Sequence, residues 1–371
     1  MKRNNLLFLT LKVFSATGGI EKVCRVFGKS LYEYGVENNS AVQVYAMHGN
    51  RAAVDDNKYF PAEMFRSFRS QRIRCTLASV KKGCESRMVV ISHINLLVIG
   101  WLIKKLSPCT QIVLFTHGIE VWHPLSRFKR KMLQGCDKII AVSRFTADKL
   151  NELHHVSPSK LHVINNCLDP FLPLPDNEAT NSGLRQRYGF KETDKVLFTL
   201  TRLSASERYK GYDLVMHAIV NLKLTHPEIR YLLSGSYDVE EKKYLDEIIN
   251  RLGLSQQVVM TGYVSDEELA AHFLMADIYV MPSIKEGFGI VFIEAMYYGL
   301  PVLAGNKDGS VDALCDGKLG WLVDPLNVFE IQNAIEAMLN DKEAHKPSRE
   351  LLLKHFSYDA YKLKVNNILS F

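Results

Sequence analysis

The stretch Met281-Pro-Ser-Ile-Lys-Glu-Gly-Phe-Gly-Ile-Val-Phe-Ile-Glu-Ala-Met-Tyr-Tyr-Gly-Leu-Pro301 reads as the heart of one strand–helix unit. The apolar run Ile278–Pro282 predicts a buried strand. A loop carrying Gly287 and Gly289 follows. A helix then starts near Gly289 and stops at Gly299, with Pro301 two residues on. Free N–H groups at such a helix start form an anion site, and glycines let a phosphate approach the main chain. Glu286 precedes the helix and Glu294 lies about one turn into it. Carboxylates repel phosphate, so two of them flanking this site point to hydroxyl groups on either side of it. A sugar diphosphonucleoside has that layout: sugar hydroxyls, pyrophosphate, then ribose hydroxyls.

The same alternation of short apolar runs and helical patterns extends along the chain. Leu6–Leu11, Val42–Tyr45, Met88–Ser92, Ile112–Thr116, Lys138–Val142 and Leu161–Ile164 read as strands in the first half. Val196–Thr201, Arg230–Ser234, Val258–Thr261, Ile278–Pro282 and Val302–Ala304 do so in the second. Asp169-Pro-Phe-Leu-Pro-Leu-Pro-Asp176, with polar Asn177–Ser182 behind it, interrupts the pattern as a linker. The 371 residues therefore divide into two α/β domains with parallel sheets. Residues 1–170 form the first and 171–352 the second, with a C-terminal helix over 353–371 packing back on the first. Such sheets bind ligands outside the carboxyl ends of their strands.

Thr201-Arg-Leu and Tyr209-Lys-Gly-Tyr-Asp follow the first strand of the second domain and offer Arg202 and Lys210 as fixed cations. Val259-Met-Thr-Gly-Tyr-Val264 ends another strand in a turn, and Lys307-Asp-Gly-Ser-Val-Asp-Ala-Leu314 follows a third.

Together these elements resemble the retaining glycosyltransferases of family 4, which share the two-domain GT-B fold. The match is densest over about residues 195–326. It departs at Thr201, Ser310 and Asp312, where the family has Gly, Gly and Glu more often. The resemblance implies two doubly wound Rossmann-like domains facing each other across a cleft. It implies that Glu286 holds donor-sugar hydroxyls, that Glu294 holds the ribose, and that Gly287, Phe288, Gly289 and Ile290 face the sugar and phosphates. Arg202 and Lys210 would bind the pyrophosphate, where cations stabilise the departing nucleoside diphosphate. The backbone around Tyr263 and Val264 would meet the base. The co-substrate would be a nucleoside diphosphate sugar, with no further cofactor and no metal, since no Asp-x-Asp motif occurs.

In the first domain Thr17-Gly-Gly-Ile-Glu follows the first strand, so Gly18 and Gly19 are candidates near the donor phosphates. Phe115-Thr-His-Gly-Ile-Glu120 places His117 at a strand's carboxyl end, near the sugar's 6-position by resemblance, with Glu120 beside it. Asn166, in Val163-Ile-Asn-Asn-Cys-Leu-Asp169, is a weaker candidate than a core and hinge reading of that segment.

Charge divides unevenly. Residues 1–180 hold 25 Lys/Arg against 14 Asp/Glu, while the whole chain carries +6. Arg66, Arg69, Arg72, Arg74, Lys81 and Lys82 form one cluster, and the region Ala62–Val80, with Phe65 and Phe68 among its arginines, suggests a helix or loop that rests on an anionic membrane. Arg127, Lys129, Arg130 and Lys131 form a second cluster. A lipid-linked glycan acceptor fits the same charge, and no nucleic-acid module is recognised. Seven cysteines without a CxxC pair suit a reducing cytosol. Met1-Lys-Arg before Leu6-Leu-Phe-Leu looks like a signal start, but Lys12 cuts the run short and a buried strand fits better. A cytoplasmic, peripheral enzyme is the expectation. The alternatives are a nucleotide-sugar epimerase, a phosphorylase, a non-catalytic nucleotide-sugar binder of the same fold and a nucleic-acid-binding protein. Hexose transfer from GDP-mannose or a UDP-hexose to a glycan precursor is the favoured reading.

Overall fold

The computed structural model describes residues 4–14, 18–49, 57–174 and 179–370, with side chains from residue 183 in the last span. The Met1-Lys-Arg start, Thr17 and linker residues 175–178 lie outside the described residues. The chain forms two compact units, Met1–Phe171 with Tyr358–Phe371, and Leu172–Ser357.

The first unit is built on seven strands: β1 (Leu6–Thr10), β2 (Val42–Ala46), β3 (Phe65–Ser67), β4 (Met88–Ile91), β5 (Gln111–Thr116), β6 (Lys138–Ala141) and β7 (Leu161–Val163). Their order is β3-β2-β1-β4-β5-β6-β7 and every pairing is parallel. Central strands are mostly apolar because both faces are covered; all five residues of β1 are buried. On one face, Phe27 of α1 (Gly19–Glu37) packs its ring against Phe8 and Phe115. On the other, Leu7, Leu9, Val89, Ile91, Ile112 and Leu114 meet α2 (Arg72–Cys84), α3 (Leu97–Leu106), α4 (Arg127–Gln134) and α5 (Arg144–His154).

The second unit opens with α6 (Ala179–Arg187) and carries six parallel strands: β8 (Lys195–Leu200), β9 (Ile229–Ser234), β10 (Val258–Gly262), β11 (Ile278–Met281), β12 (Val302–Gly305) and β13 (Trp321–Val323). Their order is β10-β9-β8-β11-β12-β13. The helices are α7 (Tyr212–Thr225), α8 (Val239–Arg251), α9 (Asp266–Met275), α10 (Ile290–Tyr297), α11 (Ser310–Ala313), α12 (Val328–Asn340) and α13 (Arg349–Phe356). Leu197, Tyr231, Leu233, Ile278 and Val280 form a core with residues of α7, α8 and α12.

In each sheet the order reverses once, between β1 and β4 in the first and between β8 and β11 in the second. Loops leaving neighbouring strands at such a point diverge and leave a crevice at the carboxyl ends.

Two expectations change. Phe65 and Phe68 are buried, the first in edge strand β3, and Arg66 lies over the Phe68 ring. They are core residues and cannot insert into a membrane. The helix expected over 353–371 is two helices, α13 and α14 (Tyr358–Leu369), broken at extended Ser357. Phe356 of α13 packs on Phe288 in the second unit, whereas α14 packs on α1 in the first. Among the described residues no helix is long and apolar enough to cross a membrane.

Candidate functional site

The second sheet's reversal point brings together two loops distant in sequence. Leaving β8, the chain passes Thr201-Arg202-Leu203, then a tight turn over Ala205–Lys210, and enters α7 through Gly211. Gly211 has φ +76°, and a Cβ there would lie 2.5 Å from the Pro282 carbonyl oxygen, so the residue must be glycine for the two loops to touch. Leaving β11, the chain runs from Pro282 to Gly289. The Ile284 N–H donates to the Tyr209 carbonyl at 3.0 Å and ties the loops together.

Lys210 and Glu286 meet here in an ion pair, with side chains only 11% and 17% exposed. Burial works against the Lys210 charge, but the Glu286 carboxylate outweighs it and raises the lysine's pKa. Arg202 is placed differently. Its side chain is exposed and pairs with Glu207 at 3.0 Å rather than joining Lys210 and Glu286.

The Glu286 main chain is held by a residue to which sequence reasoning gave no role. Asp308, in the loop after β12, accepts from the Glu286 N–H at 2.6 Å and from the Ser310 N–H at 2.9 Å. In return the Gly309 N–H donates to the Glu286 carbonyl at 2.8 Å. A Cβ on Gly309 would sit 2.0 Å from the Gly287 carbonyl oxygen, so the loops could not close on any other residue. Burial first, and the Glu286 charge next, push the Asp308 carboxyl up to about 7. The available sequence signal was an acid one strand over from the Glu286 loop, which becomes meaningful only once strand order is known.

Gly287 and Phe288 are buried, and Gly289, at φ +88°, turns the chain into α10. No side chain caps α10; the Phe292 N–H donates to the Gly289 carbonyl at 3.0 Å, and a helix start without a side-chain cap is the kind of place where backbone N–H groups can meet an anion. Glu294 lies inside α10 and is 2% exposed. Ile290 opens the helix half-buried. Tyr263 and Val264 follow β10; Tyr263 is exposed and Val264 buried.

In the first unit, Gly18 and Gly19 stand at the start of α1, beyond β1. The Glu21 carboxylate lies 2.5 Å from where a Gly18 Cβ would be. His117, beyond β5, donates from Nε2 to the Ser92 carbonyl oxygen at 2.9 Å, across the end of β4. That bond fixes the tautomer, so Nδ1 is left as a buried acceptor without a partner among the described residues. Burial and the nearby His93 push the His117 pKa down to about 3, so the ring is neutral at physiological pH. The His117 N–H donates to Glu120 at 2.5 Å, and burial raises that carboxyl's pKa. Asn166 is buried, as a core reading expects. No cluster of three or more potential metal ligands occurs among the described residues.

Residues 182–351 match the family model described as "Glycosyl transferases group 1", and residues 17–170 match "Glycosyltransferase Family 4". The chain belongs to glycosyltransferase family 4. The two matches fall within the two structural units of this family 4 chain. A GDP-mannose-dependent alpha-(1-6)-phosphatidylinositol monomannoside mannosyltransferase of Mycolicibacterium smegmatis is 32% identical, over 66% of this chain and 65% of the relative. Mannosylfructose-phosphate synthase of Agrobacterium fabrum is 32% identical, over 52% of this chain and 43% of the relative. The chain thus spans less than two thirds of either relative's length. Among solved structures, Anabaena Alr3699/HepE in complex with UDP superposes with a TM-score of 0.82 at 20% identity, covering 99% of each chain. This establishes the GT-B fold, with its two Rossmann-like domains, for the family 4 chain.

Proposed function

We propose that this chain transfers a hexose from a nucleoside diphosphate sugar to an acceptor hydroxyl, with retention at the anomeric carbon and without a metal. The Lys210–Glu286 pair beside the uncapped start of α10 carries this reading. It sets a cation, a hydroxyl acceptor and open backbone N–H groups at one crevice. Glu286 holds donor-sugar hydroxyls and Glu294 the ribose. Lys210, Arg202 and the start of α10 take the pyrophosphate. The backbone at Tyr263 and Val264 takes the base. His117 and the Gly18-Gly19 turn keep the roles the family resemblance gives them, and neutral His117 fits a hydroxyl contact better than proton donation.

In the reaction the bond from the anomeric carbon to the phosphate oxygen breaks, and the nucleoside diphosphate leaves with the electron pair. The acceptor oxygen bonds to the same face of that carbon, and its proton passes to a donor phosphate oxygen. The protein's part is positioning and stabilisation of the leaving charge. Glu286 and Glu294 share one loop and helix, so they do not flank the sugar as a double displacement would require. GDP-mannose stands first among donors because the Mycolicibacterium relative is named for it; a UDP-hexose stands second. A lipid-linked oligosaccharide or surface polysaccharide precursor is the proposed acceptor, met at the cytoplasmic face of a membrane.

The test is thermal shift against GDP-, UDP- and ADP-sugars. A donor at a hundred times its Kd should stabilise the protein by about 2.7 kcal/mol. No shift with any nucleoside diphosphate sugar would overturn the reading. Glu286→Ala should abolish transfer while leaving the chain folded, and wild-type turnover in that variant would remove Glu286 from the reaction.

A further inference from the structure

The burial of Phe65 and Phe68 takes those two side chains away from a membrane, yet α2, which carries Arg72 and Arg74 of the same stretch, joins its neighbours in a surface with the required chemistry. Helices α2, α3 and α4 stand side by side on one face of the sheet. Their sequences, RIRCTLASVKKGC, LVIGWLIKKL and RFKRKMLQ, contain ten Lys/Arg and no Asp or Glu. Lys104 turns inward to Asp137 at 2.9 Å. Arg72, Arg74, Lys81, Lys105, Arg127 and Lys131 are exposed.

Large apolar side chains stand among them. Ile73 is 79% exposed and Leu77 68%, one turn apart on α2. Leu106 ends α3 at 68%, and Phe128 on α4 is 52% exposed. The Phe128 ring packs edge-on to Trp101 of α3 at 5.6 Å, and Lys105 lies 5.9 Å from the Trp101 ring centre. A soluble helix buries its apolar stripe and shows polar residues outward. Here α2 buries Cys75, Ser79 and Gly83 and shows isoleucine and leucine to solvent.

We propose that the outer face of α2, α3 and α4 docks on an anionic lipid bilayer, with Ile73, Leu77, Leu106 and Phe128 entering the headgroup–acyl boundary. The flanking arginines and lysines would then meet lipid phosphates. Glu85 caps the end of α2 beside Lys82, but the three helices themselves carry no acid, and such a face matches a sheet of negative charge, since each Lys or Arg near anionic lipid contributes about 1 kcal/mol. The protruding apolar side chains select a bilayer over a polyanion in water, because nucleic acid would engage the charges and leave Ile73 and Leu77 unburied. The proposal names the residues of the peripheral contact included in the proposed function and does not depend on the transfer reaction.

The test is flotation of the full-length protein, without donor, on vesicles of equal parts phosphatidylglycerol and phosphatidylcholine, and on phosphatidylcholine alone. The protein should float with the first and not the second, and added salt should weaken binding. Ile73→Glu with Leu77→Glu should lower partition about tenfold or more, as should Arg72→Glu with Arg74→Glu. Val239→Glu, on exposed Val239 of α8 in the second unit, adds charge elsewhere and should leave binding unchanged. Thermal unfolding of each variant checks that it is folded, and Trp101 fluorescence should be quenched by brominated lipid in the wild type and in Val239→Glu but not in the two α2 variants. Equal binding to both vesicle types, no binding to either, or full binding by folded Ile73→Glu/Leu77→Glu overturns the proposal. So does tight binding of a mixed-sequence oligonucleotide that excludes vesicles. A protein that floats yet shows no thermal shift with any donor would overturn the transfer reading alone.

Discussion

Lys210 and Glu286 are 76 residues apart, and their pairing is a property of strand order rather than of either motif. Both side chains are largely buried, so removing one partner strands a charge in a poor solvent. Lys210→Ala should cost about 3 kcal/mol in urea unfolding, and Lys210→Met with Glu286→Gln should recover part of that loss. Equal stability of the single and double variants would contradict a buried, coupled pair. Arg202→Ala should cost under about 1 kcal/mol, because the Arg202 side chain is exposed in its pair with Glu207, while still weakening donor binding. Asp308 is a residue-scale device with a pH signature. Its folded pKa, about 7, lies above the ordinary 3.8, so the folded protein holds a proton that the unfolded chain releases. Stability from this group is therefore complete below about pH 4 and falls as pH rises towards 7. Asp308→Asn should flatten that part of the stability-against-pH curve in chemical denaturation at successive pH values. A curve of unchanged slope would show that Asp308 titrates normally. Glu286, Lys210 and Glu294 could be picked out from the sequence because short spacings mark them. Asp308 could not, because its use depends on β12 lying beside β11.

At the scale of elements, the site depends on how α10 begins. Gly289 takes φ +88°, and a Cβ there would fall 2.3 Å from the Phe292 ring. Gly289→Ala combines a left-handed backbone with a clash and should cost about 1–3 kcal/mol. It should also lower donor affinity, since the N–H groups of α10 would be displaced. A variant as stable as wild type, with unchanged donor thermal shift, would refute this placement. The strand–glycine–helix pattern here was readable because the apolar run, the glycines and the Gly299 stop are all local signals. Strands β3 and β13 were not, for a physical reason. Each is three residues long at a sheet edge, so β3 needs only one apolar side chain, Phe65, facing the core. Such a segment carries no period, and among arginines it reads as a surface. The break at Ser357 was hidden because α13 and α14 are amphipathic in turn, and no proline or glycine separates them.

At the scale of the whole molecule, the last helix does not belong to the unit whose chain leads into it. Helix α14 returns to the first unit and buries Tyr361, Val365, Ile368 and Leu369. Its carboxyl end is received by three separate parts of that unit. Arg87 donates to the Leu369 carbonyl at 2.6 Å, Lys138 to the Ile368 carbonyl at 2.7 Å, and the Tyr34 hydroxyl to Leu369 at 3.2 Å. Cations at a helix carboxyl end also oppose its dipole favourably. Along its flank, Lys362 pairs with Glu33 at 2.9 Å and with Glu37 at 2.7 Å, and the Tyr358 hydroxyl donates to Glu33. Each buried apolar side chain contributes about 1.5–3 kcal/mol before the entropy of ordering the helix is subtracted. The loss of α14 should therefore remove several kcal/mol from the first unit, a large share of an ordinary domain's stability. The second unit, Leu172–Ser357, keeps its own sheet and core. A chain ending at Ser357 should unfold in two steps, the first at a midpoint well below that of the full chain. Trp101 and Trp122 report on the first unit and Trp321 on the second, so Trp321→Phe isolates the early step in fluorescence. Arg87→Ala with Lys138→Ala should reproduce a smaller version of the same shift. A truncated chain whose two units melt together at the wild-type midpoint would show that α14 is dispensable to the unit it covers.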